Sequence, residues 1–200
     1  MLEWIYRGLS KRRVTSRYPD EPAIAPAGFH GRVDVIADVA ASADIAAVCP
    51  TGAITVHERG RVSLAHRRCI LCGECVRAAP GTFAFRSAYE TAERPAAARE
   101  PGEQASMLRR SIHVRHIDCG SDGSEEWEIQ ALWNPHYDIQ RLGFFLTSSP
   151  RHADVLLATG PVTGPMRAPL QRTWEVMPGP KALIAVGTDA CGGGLHGWGG

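Results

Sequence analysis

The sequence has no apolar run near the roughly 18 residues that a bilayer-crossing helix needs. It also has no secretory leader pattern, because the apolar opening is interrupted by Glu3 and Arg7 almost at once. Charge of one sign is missing too. With 22 Lys and Arg against 21 Asp and Glu, the net charge is +1, so no whole-chain electrostatic case exists for a nucleic-acid partner. Aromatics make up only 7% of residues. The 21 glycines and 14 prolines fall short of a low-complexity composition, and the 44% hydrophobic share is enough for packed cores. Two hundred residues make one large domain or two small ones. These features place the chain in the cytoplasm with no transmembrane segment of its own. Six cysteines there point to metal or redox chemistry before disulfides.

Along the chain the rhythm changes three times. Residues 1–27 read as a basic amphipathic helix followed by a proline-rich linker. Leu2, Ile5, Tyr6 and Leu9 share one face, Arg7, Lys11, Arg12 and Arg13 flank it, and Pro19, Pro22 and Pro26 close it. The face suits a membrane surface, a partner subunit or the chain's own domain. Residues 28–88 form a small α+β unit with strands at Ala53–Val56 and Arg61–Leu64 around a Glu58-Arg59-Gly60 turn. Residues 89–109, rich in Ala, Glu, Arg and Pro, read as a linker. Residues 110–200 alternate strand and helix, which implies an α/β layer with a parallel sheet. The strands are Ile112–Ile117, Leu142–Thr147, Asp154–Thr159 and Lys181–Val186, the last of buried type. The helices are Glu125–Trp133 and Met166–Met177, with Pro169 in the first turn of the second.

The cysteines carry the strongest signal. Cys69, Cys72 and Cys75 are spaced C-x2-C-x2-C, with Pro80 following Ala79 where a fourth cysteine would precede a proline. Cys49-Pro50 ends a matching upstream run whose other three positions are Val39, Ser42 and Ile45. In a two-cluster ferredoxin each run's fourth cysteine ligates the other run's cluster. One site, Cys49 with Cys69, Cys72 and Cys75, is therefore whole. The other, positions 39, 42, 45 and 79, is erased. Four soft thiolates suit one 4Fe-4S cluster, and Val39 and Ile45 suit apolar filling of the vacated volume. A tetrahedral zinc site is the alternative for the same four residues, although zinc more often pairs two C-x2-C knuckles.

The segments SIHVRHIDCGSDGSEEWEIQAL, NPHYDIQRLGFFLTSSPRHADVLLATGPVT and MPGPKALIAVGTDACGGG resemble the small subunit of group 4 NiFe hydrogenases and the 20 kDa subunit of NADH-quinone oxidoreductase. Residues 28–86 resemble the ferredoxin-like iron–sulfur subunit of the same complexes, so the chain looks like a fusion of the two. The resemblance implies a flavodoxin-like fold for the second unit and a hydrogenase-like or complex I-like large subunit and membrane subunits as partners. It also implies electron transfer, in a place peripheral to the cytoplasmic face of the membrane. The rival reading is a non-conducting structural or regulatory adapter. The family's own cluster cysteines fall on Asp122, Glu125 and Asp189, and its loop glutamate on Glu128. The chain reaches Gly200 without the family's Gly-Cys-Pro-Pro segment, so no second cluster is expected. Cys119 and Cys191 lie at offsets the pattern does not use. They are either two free thiols or, with Asp122 and Asp189, ligands of a different metal. Glu128 reads as a retained proton-relay residue or as a helix N-terminal acid. The acidic loop at Asp118, Asp122, Glu125 and Glu126 would repel a phosphate, so no FMN is expected. His113 and His116, three apart on one strand, face opposite sides, and His152 reads as a turn residue.

Overall fold

Two β-systems of opposite kind organise the chain, as seen in a computed structural model that describes residues 3–11, 15–37, 44–94 and 111–197. Val39 and Ser42, two positions of the erased cysteine set, and most of the 89–109 linker lie outside the described residues.

In the first unit, β1 (Arg32–Val35) pairs antiparallel with β4 (Phe83–Arg86), and β2 (Ile54–Val56) with β3 (Val62–Leu64). The β2–β3 hairpin turns over Glu58–Gly60, where Arg59 takes φ 63°. Two short helices, α2 (Asp44–Ala47) and α3 (Glu74–Ala78), complete the unit. Period-2 alternation sends Val33, Ile54, Val62 and Phe83 into one core with Ile45 of α2 and Cys75 of α3. Cys49, Cys69 and Ala79 pack against that core.

In the second unit, β5 (Ile112–Asp118), β6 (Phe144–Leu146), β7 (Val155–Thr159) and β8 (Ala182–Ala185) form a wholly parallel sheet in the order β6-β5-β7-β8. Helix α4 (Ser124–Ala131) connects β5 to β6, and α5 (Gly164–Val176) connects β7 to β8. The chain leaves the β5–β7 pair toward opposite edges, so right-handed crossovers put the two helices on opposite faces. Each face has its own core. Val114, Val155 and Leu157 meet Ile129 and Trp133 on one side, and Leu156 meets Leu170, Trp174 and Met177 on the other. The crevice of such a sheet opens where the order reverses, outside the carboxyl ends of β5 and β7. There Asp118 stands in register with Thr159.

Several expectations are corrected. Helix α1 spans Glu3–Lys11, and residues 15–18 are not helical. All nine residues of α1 are exposed, so its apolar face does not pack on the described parts of its own unit. The residues that lead into the proline-rich linker are hydrogen-bonded to both units. Ser16 N–H donates to His136 O (3.1 Å), Arg141 donates to Ser16 O and Tyr18 O (3.2 and 2.8 Å), and Tyr18 donates its hydroxyl to Glu90 (2.9 Å). Pro169 lies inside α5 and not in its first turn, because the helix starts earlier, with Thr163 as N-cap and a proline, Pro165, in its opening turn. Pro169 is exposed, so water can reach the carbonyl left without its usual N–H donor. Strand β8 is exposed at every position instead of buried. It stands at the sheet edge, and an apolar run is buried only where another layer covers it.

Candidate metal centre

The three clustered cysteines are brought together by a turn that the local sequence builds in two steps. A 3-10 turn, His66–Arg68, ends with Cys69 N–H donating to His66 O (2.9 Å). The chain then passes through Leu71 at φ 56° and Gly73 at φ 76° before entering α3. Left-handed backbone thus stands on both sides of Cys72. Leucine pays a steric cost for that conformation, and such outliers persist where the surroundings fix them. Cys49 arrives from the other side of the unit, just beyond α2. All four cysteines line one cleft, together with Val33, Thr51, Leu64, Ile70, Gly73 and Glu74. Cys75 is buried, Cys49 and Cys69 are half-buried, and Cys72 is exposed at the mouth.

The cleft favours thiolates at one corner and discourages them at two others. Burial opposes ionisation of Cys49. Hydrogen bonds from the N–H groups of Ala53, Thr51 and Ile54, with the Thr51 side chain beside the sulfur, outweigh it and hold the thiol below its ordinary value. The Ala53 N–H reaches the sulfur at 3.2 Å. Burial pushes the Cys69 and Cys75 thiols up, and the charges of the other cysteines in the cleft raise both further. Four sulfurs that repel one another as thiolates in a half-buried cleft form a donor set suited to a cationic iron centre. Among the described residues, no three His, Cys, Asp or Glu side chains close into a site for one metal ion. Where the erased second set would lie, Ile45 is buried at 8% exposure and Ala79 packs on the same apolar core.

In the α/β unit, the positions that the resemblance marks for cysteines are turned to local bonding. Asp122 accepts from Ser124 N–H and Oγ (3.0 and 2.6 Å), and those bonds hold its carboxyl below the usual range. Glu125 lies against Gly187, where a Cβ would come within 2.0 Å of its Oε1. Asp189 lies against Gly194 in the same way. Cys119 is fully buried, 3.9 Å from Ile117 O, and Cys191 donates to Ala185 O (3.4 Å). Burial raises both thiols. No group of three ligating side chains assembles around them among the described residues. The loop's N–H donors are also engaged, since Asp118 Oδ1 accepts from Gly120 and Ser121 N–H, both at 2.8 Å.

Glu128 is exposed on α4 and lies beyond its first turn, where Glu125 and Glu126 stand instead. The acid in a polar network is Glu126. It accepts from the Ser121 hydroxyl (2.6 Å) and from the hydroxyl of fully buried Thr159, with His116 Nε2 at 3.4 Å. Sequence reasoning missed this role. The available signal was Thr159 at the carboxyl end of the most apolar strand, facing the crevice. His113 and His116 are held apart as expected, His113 beside Asp154 and His116 beside Thr159, and His152 ends a 3-10 turn.

Comparison with known proteins places the second unit. Residues 122–200 match the family described as NADH ubiquinone oxidoreductase, 20 Kd subunit. Over 95 residues, 46% of the chain, it is 43% identical to formate hydrogenlyase subunit 7 of Escherichia coli, covering 37% of that protein. Over 87 residues, 44% of the chain, it is 42% identical to the probable membrane-bound hydrogenase subunit mbhJ of Pyrococcus furiosus, covering 52% of that protein. The chain thus spans about half or less of the length of these relatives. A solved membrane-bound sulfane sulfur reductase, an archaeal respiratory membrane complex, aligns over 40% of the chain and 44% of its own, at 29% identity and a TM-score of 0.35.

Proposed function

We propose that Cys49, Cys69, Cys72 and Cys75 hold one 4Fe-4S cluster in a ferredoxin-like unit, and that the chain is an electron-transfer subunit of a hydrogenase-like or complex I-like oxidoreductase complex. The observation that carries this reading is the meeting of Cys49 with the 69–75 loop in one cleft across 19 intervening residues. When bound, the cluster supplies one-electron redox chemistry. The residues of the chain hold it, donate N–H groups to the Cys49 sulfur and exclude water on the Val33 and Leu64 side.

The named relatives are hydrogenase and hydrogenlyase subunits, which supports a subunit role beside a large subunit and membrane subunits. None of the described helices is long and apolar enough to cross a membrane, in keeping with a peripheral place on the cytoplasmic face. The α/β unit has a structural part in this reading. Its acids at 122, 125 and 189 are engaged with its own backbone and glycines, and its loop N–H groups are engaged by Asp118, which leaves them unavailable to an FMN phosphate.

Anaerobic reconstitution with iron and sulfide tests the reading. Unaltered protein should bind about four irons and four sulfides per chain, and Cys49→Ala should lose or degrade that cluster. Zinc in place of iron, about eight irons, or an undisturbed cluster in Cys49→Ala would each refute it.

A further inference from the structure

We propose that the α/β unit positions the cysteine centre. In this arrangement α6 (Gly187–Gly192) backs the 3-10 turn His66–Arg68, and Thr51 carries that turn's position to Cys49, so that Gly192 and Thr51 are positioning residues. The inference rests on the cluster reading of the four cysteines.

The contact sets the Gly192 backbone against the Arg68 side-chain stem and the backbone of the turn. A Cβ on Gly192 would come within 2.7 Å of Arg68 Cγ, 3.2 Å of Arg67 O and 3.5 Å of Arg68 Cα. Gly192 does not adopt a left-handed φ. Its lack of a side chain is therefore required by the approach of the turn and not by its own conformation. The turn is fixed from other sides as well. His66 Nε2 lies 2.9 Å from Val33 O, and Arg67 pairs with Glu93 at 3.8 Å.

From this turn two ligands are set at once. Cys69 caps it directly. Cys49 is reached through Thr51, whose hydroxyl donates to Arg68 O at 2.5 Å and lies 3.6 Å from Cys49 Sγ. The clip joins the chain on both sides of the long gap between the ligands. Helix α6 is itself anchored in the α/β unit, with Glu125 of α4 against Gly187 and Cys191 donating to Ala185 O at 3.4 Å. One position where the resemblance puts a cluster thiolate, Glu125, thus braces a helix that supports the cysteine loop of the other unit.

The test uses the full chain carrying Gly192→Val, the milder Gly192→Ala, Thr51→Val and Thr51→Ser, with Gly8→Ala, whose position opens to free space, as control. Gly192→Val and Thr51→Val should keep the iron content. They should change the electron paramagnetic resonance signal of the reduced cluster, release iron to a chelator about tenfold faster and speed amide exchange at residues 66–69 about tenfold. Gly192→Ala should show a smaller change in the same direction, and Thr51→Ser should restore the native signal. An unchanged signal and unchanged exchange in Gly192→Val overturn the proposal, as does a Thr51→Ser protein as altered as Thr51→Val. If the unaltered chain assembles no iron–sulfur cluster, the cluster reading has failed. Exchange at 66–69 in Gly192→Val then still decides the contact, faster exchange supporting it and unchanged exchange overturning it.

Discussion

Thr159, fully buried at the carboxyl end of β7, donates its hydroxyl to Glu126 in the first turn of α4, across the crevice at the β5–β7 pair. Ser121 donates to the second oxygen of the same carboxylate, and His116 approaches within 3.4 Å. One acid thereby ties the end of the central strand pair to the helix that crosses one face.

The first prediction follows from that tie. Burial opposes the Glu126 charge, but the Ser121 and Thr159 hydroxyls outweigh it and hold the carboxyl below its ordinary range, against the repulsion of Asp118. Its stabilising contribution is complete above the unfolded carboxyl pKa of about 4.3 and is lost as pH falls through the lower folded value. Glu126→Gln should cost about 1–2 kcal/mol at pH 7 and make stability less dependent on pH below about 4.3. Denaturant unfolding at pH 7 and in acid measures both. A variant with the same acid slope as the unaltered protein refutes the assignment.

Alanine at Asp122, Glu125 or Asp189 should leave bound iron unchanged, because these acids bond to or pack on their own loops and glycines. Metal analysis of the purified variants checks this, and a fall in iron would make the carboxylates ligands.

Core truncations should separate the two units. Leu156→Ala removes a fully buried side chain packed between Leu170, Trp174 and Met177, at a cost of about 2–5 kcal/mol, with iron retained. Phe83→Ala empties the core that Cys75 shares and Cys49 and Cys69 pack on, at about 3–5 kcal/mol, with the cluster lost as well. Unfolding curves read alongside iron content distinguish the two outcomes.

Helix α1 holds Trp4, Tyr6 and Leu9 more than 70% exposed beside Arg7 and Lys11. Deleting residues 1–11 should weaken association with anionic vesicles or with the assembled complex and leave the cluster spectrum unchanged. Sedimentation with phosphatidylglycerol vesicles and co-purification of the complex measure the two arms. A changed spectrum would make the helix part of the cysteine unit.

Much of this was legible along the chain. The β2–β3 hairpin, the order of the elements from β5 to β8 and the parallel pairing follow from alternation, apolar runs and turn residues, all of which involve neighbours within a few positions. The division of the cysteines into one whole and one missing set is also visible, because ligand spacing is local chemistry written into sequence. Other features were not legible. Glu126 and Glu128 stand two apart in one acidic run, and only the approach of Thr159, 33 residues away, selects the first. Strand β8 has the composition of a buried strand and is exposed because it stands at the edge.

What the sequence determined by itself was the spacing of four soft side chains and the kind of layer, since a repeating strand–helix pattern has few physical solutions. What only the tertiary structure decided was which distant groups meet: Thr51 with the carbonyl of Arg68, Gly192 with the turn before Cys69, and Thr159 with Glu126. The reason is that such contacts depend on how whole elements pack, and packing is set by the summed burial of many side chains and not by the residues that finally touch.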